Sequence, residues 1–201
     1  GFLGKVKKIL ETVCHNCGKI KALDSEELRY AHSVRDRKKR FELIWRLSQK
    51  QNSCVADPAE GDDELLGKEK VAKIKHGGCG NAQPQIRKTG LELWAQFKPR
   101  KNDDDEETVP EKSQIMPAQA LRIFQHLTDE TLETLGLNLD FARPEWMILQ
   151  SLPVPPPPVR PSISVDGSGQ GSRGEDDLTF KLGDIIRANQ NLIRVNAEGA
   201  P

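Results

Sequence analysis

Four cysteines constrain this chain more than any other feature, because it has no others: Cys14, Cys17, Cys54 and Cys79. The first two form a Cys-x-x-Cys pair in "VCHNCGKIK". The last two are single and far apart, and Cys79 lies in the glycine-rich "HGGCGN". Such a pair admits three readings: half of a metal site, a redox dithiol, or two unrelated core residues. A thioredoxin-type pair needs a helix directly after it, and Gly18-Lys19 continues poorly into one. Disulfides need an oxidising compartment, for which nothing in the sequence argues. Zinc fits better. A Cys-x-x-Cys turn presents two thiolates to one ion, two further sulfurs close a tetrahedron, and the glycines around Cys79 permit a second tight turn. The spacing departs from a standard ribbon of two Cys-x-x-Cys pairs, so His15 and His76 stand as substitute ligands and the core-cysteine reading stays open. A closed four-ligand site has no free position, so its role is structural.

Composition sets the frame. With 201 residues, 36% hydrophobic and 30% charged, the chain supports one sizeable domain or two small ones plus flexible loop. No apolar run approaches the ~18 residues of a membrane span, and no signal-peptide pattern opens the chain. The start at Gly1 and the end at Gly199-Ala200-Pro201 lead us to expect a piece of something longer. The zero net charge hides an asymmetry. Through Lys101 there are 22 Lys and Arg against 13 Asp and Glu, and beyond it 8 against 17. A basic half suits a polyanion and an acidic half suits protein neighbours, although the two halves can equally neutralise each other. "RDRKKR" at 35–40 is either a nucleic-acid patch or the wet face of a helix.

Local patterns predict an extended or strand segment within 1–13 and a short helix capped at Asp24 with Glu27. A longer helix follows over 36–49, and a hairpin turns at Gly90 between 85–88 and 91–97. Residues 55–69 and 99–113 read as acidic loops, the carboxylates of "NDDDEE" being too flexible for a metal site. Pro117 opens a helix, and Thr128 caps another that ends at Gly136. "MILQSL" reads as a strand and "PVPPPPVRP" as an extended run without backbone donors. "DGSGQGSRG" reads as a loop. A last helix starts at Asp176 or Asp177 and turns Leu178, Leu182, Ile185 and Ile186 inward. There is no Walker loop, GxSxG or HExxH motif, and no internal repeat.

Four segments together resemble the largest subunit of RNA polymerase II: the Cys14-x-x-Cys17 turn after "GFLGKVKKILETV", "KKRFELIWRL", "ARPEWMILQSLPVPPPPVRPS" and "RGEDDLTFKLGDIIRAN". The likeness runs from Gly1 to Pro201 with breaks at the acidic loops. "PVPPPPVRPS" and "RGEDDLT" mark multisubunit polymerases, and the four-proline form and overall wording are similar to polymerase II, in a fungal style. The resemblance implies an α+β fold, a zinc-stabilised clamp region with helices, a small antiparallel sheet and long flexible loops. Its parts would be a clamp head over 1–98, an acidic loop over 99–113, a helical hairpin with strand and proline run over 114–161, a lid-like loop over 162–177, and a clamp helix over 178–201. The family holds its clamp zinc with one Cys-x-x-Cys pair and two later single cysteines, which implies Cys14, Cys17, Cys54 and Cys79 as ligands and leaves His15 and His76 as bystanders. The clamp's place over the cleft implies nucleic-acid contacts for Lys5, Lys7, Lys8, Arg37, Lys38, Lys39 and Arg40, and the lid implies them for Arg160 and Arg173.

The family's magnesium-binding "NADFDGD" motif is not among these residues. The chain is therefore expected to be an internal part of a nucleotidyltransferase, with magnesium only in the whole enzyme. Implied partners are the other polymerase II subunits, template DNA, the RNA–DNA hybrid and initiation and elongation factors, in the nucleus and without a membrane. The alternative is a stand-alone zinc-binding interaction module.

Overall fold

A computed structural model describes residues 2–56, 77–99, 111–165, 167, 169 and 171–199. His76, most of the 55–69 loop and the "NDDDEE" run lie outside them. The fold is α+β and divides into two compact units, Gly1–Leu149 and Gln150–Pro201.

The first unit opens with a helix, not a strand. α1 spans Leu3–Thr12 and buries Val6, Ile9 and Leu10. Leu3, Val6, Leu10 and Val13 recur at helical spacing, and this periodicity outweighs the low helix propensity of the β-branched Val6 and Ile9. α2, Glu26–Ser33, is capped by Ser25, whose hydroxyl accepts from Leu28 N. Asp24, expected as the cap, instead pairs with Arg29 at 2.6 Å. α3, Arg37–Ser48, begins where Asp36 accepts from the Lys38 and Lys39 N–H groups, and it buries Phe41, Ile44 and Ser48.

A three-stranded antiparallel sheet follows, ordered β1 (Gln85–Thr89), β2 (Glu92–Gln96), β3 (Lys112–Gln114). The β1–β2 hairpin turns at Gly90–Leu91 and sets Ile86 opposite Ala95, both buried. β3 pairs Trp94 with Gln114, so Lys112 and Ser113 belong to the sheet rather than to the acidic loop. Their pairing with β2 is a long-range contact that no local pattern announces. α4 (Pro117–Gln125) starts on its proline, and α5 (Asp129–Thr134) is capped by Thr128. Gly136, at φ +76°, ends α5; a Cβ there would lie 3.0 Å from the Arg37 carbonyl oxygen. Phe124, Leu127, Leu132 and Leu135 complete one core with α1, α3 and the sheet.

"MILQSL" is not a strand. Pro144–Met147 forms a 3-10 turn, Met147 and Ile148 pack half-buried against the core, and Leu149 and Leu152 are exposed. An extended segment becomes a strand only beside a partner edge, and none pairs with it among the described residues.

In the second unit the proline run ends in a 3-10 turn at Pro157–Val159. β4 (Ile163–Ser164) and β5 (Arg173–Gly174) pair antiparallel at the root of the glycine-rich loop. α6, Asp177–Glu198, is capped by Asp176 accepting from Leu178 N. Its expected inward face is a correction: Leu178, Ile185 and Ile186 are all exposed and Leu182 only half-buried, because this unit supplies no second layer to pack on them.

Candidate metal centre

The centre is built from two backbone knuckles. The first follows α1 directly. Cys14 N donates to Lys19 O at 2.7 Å and Gly18 N to Cys14 O at 3.0 Å, while Lys21 N donates to Thr12 O at 2.9 Å. These bonds fold 12–21 back on itself and bring Cys14 and Cys17 to one side. Gly18 takes φ +74°, a left-handed turn that L side chains resist. The second knuckle joins segments distant in sequence. Ser53 pairs with Ala82, Cys54 N donates to Asn81 O at 2.9 Å, and Gly80 N donates to Cys54 O at 2.8 Å. This short ladder makes the two single cysteines behave as a pair.

The four sulfurs converge. Cys14 Sγ lies 3.5 Å from Cys79 Sγ and Cys17 Sγ 3.7 Å from Cys54 Sγ, and all four lie within 4.8 Å of one another. No disulfide forms, and the separations far exceed the ~2.05 Å of a sulfur–sulfur bond. A tetrahedral zinc with Zn–S of about 2.3 Å requires sulfur–sulfur edges of about 3.8 Å. The donor set and its spacing therefore fit zinc: four soft sulfurs, with no further ligand grouped with them among the described residues.

The four thiols are not equally ready to ionise. Burial pushes the Cys14 and Cys54 thiols up, so an apo cluster resists ionising there. Desolvation opposes ionisation at Cys79 too, but hydrogen bonds from the Asn81 backbone and side-chain amides, the latter at 3.2 Å, hold that thiol down at about 6. Asn16 N donates to Cys14 Sγ at 3.4 Å. Metal ligation requires all four thiolates, and a dication offsets the cost of ionising the buried pair. Lys21, 1% exposed, places its ammonium 3.4 Å from the Gln51 carbonyl oxygen. Burial pushes it down to about 8, against the pull of Glu11, Cys14 and Cys54.

His15 stands aside. Its Nε2 lies 2.9 Å from the Leu10 carbonyl oxygen, and burial lowers its pKa to about 4. Sequence reasoning missed Lys21 and Gln83, which is buried between the knuckles. The one available signal was a run of polar residues around Cys79, "CGNAQP", which favours turns but does not reveal burial.

The basic residues are placed unequally. Lys5 Nζ sits 3.2 Å from the Phe41 ring centroid, and burial chiefly, with Lys8 adding, pushes its pKa down to about 8 against Glu42. Lys7 pairs with Glu11. Lys8 pairs with Glu42 at 2.7 Å and lies 4.1 Å from the Trp45 ring centroid. All three are half-buried, and Lys5 and Lys8 reach across to α3. Arg37, Lys38 and Lys39 are exposed on the first turn of α3, with Arg40 half-buried beside them. Arg160 donates to Pro155 O at 2.8 Å and to Thr179 Oγ1 at 3.3 Å, fastening the proline run to the start of α6. Arg173 is exposed on β5.

The fold and site define a helix-and-sheet module in which four cysteines lie close enough to hold a metal ion such as zinc. A family model described as RNA polymerase Rpb1, domain 1, matches residues 1–201, and the chain belongs to that family. It is thus part of a DNA-directed RNA polymerase, which as a complex transfers nucleotides and works with further subunits and nucleic acid.

Proposed function

We propose that this chain is the clamp region of the largest subunit of a polymerase II, of fungal type, and that it works in the nucleus. The match along the whole chain carries the reading, and the wording of "PVPPPPVRPS" supports the choice of enzyme. In this reading Cys14, Cys17, Cys54 and Cys79 hold one structural zinc that keeps the two knuckles in register. The exposed Arg37, Lys38 and Lys39, with Arg40 beside them, face nucleic acid; Lys5, Lys7 and Lys8 add charge but are tied to internal partners. The loop from Ser162 to Asp177 acts as a lid at the RNA–DNA hybrid. Its paired root and the Arg160 fastening supply stiffness, and Arg173 supplies a phosphate contact. Initiation and elongation factors meet the outer surfaces. Magnesium chemistry belongs to the whole enzyme.

Two experiments test this. Native mass spectrometry of the 201-residue chain is expected to show one zinc, and an apo mass overturns the metal assignment. Affinity purification of the parent protein is expected to yield polymerase subunits and template-directed RNA synthesis, with chromatin crosslinking concentrated on messenger genes. Crosslinking confined to ribosomal or transfer RNA genes overturns the choice of polymerase, and a protein that purifies without polymerase subunits restores the stand-alone module.

A further inference from the structure

Gln83 is buried to 2% exposure just before β1. A buried amide is costly unless its donors and acceptor are met. Here the side-chain amide is met by the Cys14–Cys17 turn and by Asn81, and the Gln83 backbone reaches the segment before Cys54. Gln83 Oε1 accepts from His15 N at 2.8 Å, and Nε2 donates to Asn16 Oδ1 at 3.0 Å, both inside the turn between Cys14 and Cys17. Nε2 also lies 3.4 Å from the Asn81 carbonyl oxygen, two residues past Cys79. The Gln83 backbone N–H donates to Asn52 O at 2.7 Å, two residues before Cys54. Asn81 in turn donates to Cys79 Sγ.

We propose that Gln83 is the positioning residue of the sulfur tetrad, the polar tie that sets one knuckle against the other before zinc arrives. This rests on the metal reading above. The geometry explains why a tie is needed. Both short sulfur–sulfur distances, Cys14 to Cys79 and Cys17 to Cys54, cross from one knuckle to the other. The tetrahedron thus depends on the register between knuckles. The ladders organise each knuckle separately, and the Gln83 side chain links them. Without it, ordering the knuckles must be met out of the zinc-binding free energy, and His15 N and Asn16 Oδ1 lose their partner.

The test uses the 201-residue chain and zinc alone. Gln83→Leu keeps the approximate volume and removes all side-chain ties. Competition against a chromophoric chelator is expected to show zinc affinity reduced about 10- to 100-fold. Gln83→Glu retains the acceptor for His15 N and loses the donors, and an intermediate loss is expected. With cobalt in place of zinc, the tetrahedral ligand-field bands of both variants are expected to weaken and shift. Val6→Ala, two turns up α1 from Cys14, serves as a control: it should lower stability while leaving zinc affinity and the cobalt spectrum as in wild type. Wild-type affinity and spectrum in Gln83→Leu overturn the proposal, as does a Val6→Ala loss of zinc affinity as large as that of Gln83→Leu. If Gln83→Leu does not fold, Gln83→Glu decides by the same readouts, and wild-type affinity there overturns it. A wild-type chain that retains no zinc removes the metal reading itself; a zinc-binding wild type with an indifferent Gln83 removes this inference alone.

Discussion

Gly18 shows how much one residue carries. It sits directly after Cys17 at φ +74°, and a Cβ there would lie 2.5 Å from the His126 carbonyl oxygen. Substitution therefore meets both backbone strain and a clash with the end of α4. Gly18→Ala is expected to cost about 2 kcal/mol or more and to speed zinc release. Denaturant titration in zinc, paired with release into excess chelator, checks it; wild-type values for both would contradict the argument. Asp36 is a simpler case. It caps α3 through two backbone N–H groups, so Asp36→Ala should cost about 1 kcal/mol. Zinc affinity should not change, because the cap is remote from the knuckles. A cap acts on residues two and three positions away and so is a local signal, although in the sequence Asp36 reads only as the first residue of a helix over 36–49. Gln83 has no such local signal, because its partners lie about 30 and nearly 70 residues distant.

At the scale of elements, α1 and α3 are joined by more than apolar packing. Lys5 over Phe41, Lys8 with Glu42 and Trp45, and Trp45 Nε1 donating to Glu11 Oε2 at 2.8 Å stitch the two helices along their length. The basic residues of α1 thus serve partly as internal contacts, while those at the start of α3 stay open to solvent. Weak, sequence-independent nucleic-acid binding is expected there. Affinity on duplex DNA should fall with salt at a log–log slope of about −0.9 per phosphate contact, with on the order of three to five contacts. Replacing Arg37, Lys38, Lys39 and Arg40 together by Ala should reduce both affinity and slope. Fluorescence anisotropy across a salt series measures this. A slope unchanged by the replacement would mean that these residues only solvate the helix. α1 also shows why element type was misread: periodicity signalled a helix while Val6, Ile9 and Val13 signalled a strand, and burial against α3 and β1 resolves that conflict.

Across the whole molecule, the described metal site and the unit from Gln150 onward depend on different forces. The first unit has a continuous core but also two irregular knuckles whose polar backbone is ordered around sulfur. Structural zinc contributes about 10 kcal/mol or more in small peptides. Chelation is therefore expected to remove amide exchange protection from 12–21, 52–56 and 77–85, and to leave α5 and α6 close to their zinc-loaded values. Hydrogen exchange with and without chelator reads this directly. Uniform loss along the chain, or no loss at the knuckles, would overturn the expectation. α6 adds a further point: a long helix that buries none of its residues here holds itself by its Asp176 cap and internal hydrogen bonds, so it should melt more gradually than the core helices.

The sequence by itself determined much of what is local. The helix caps at Asp36, Thr128 and Asp176, the proline start of α4, the hairpin turn at Gly90–Leu91 and the chemical type of the four donors all follow from residues within a few positions of one another. The wording of its longer segments also carried the family. The resemblance implied the four cysteines as one set, but only the tertiary structure shows how they meet: Cys54 and Cys79 are brought together by a ladder between 52–54 and 80–83 that no periodicity encodes. It also decided that β3 joins the sheet, that "MILQSL" finds no strand partner among the described residues, and that one glutamine lies between both knuckles. Each of these depends on contacts between distant segments, whose energy appears only once burial has removed the alternative partner, water.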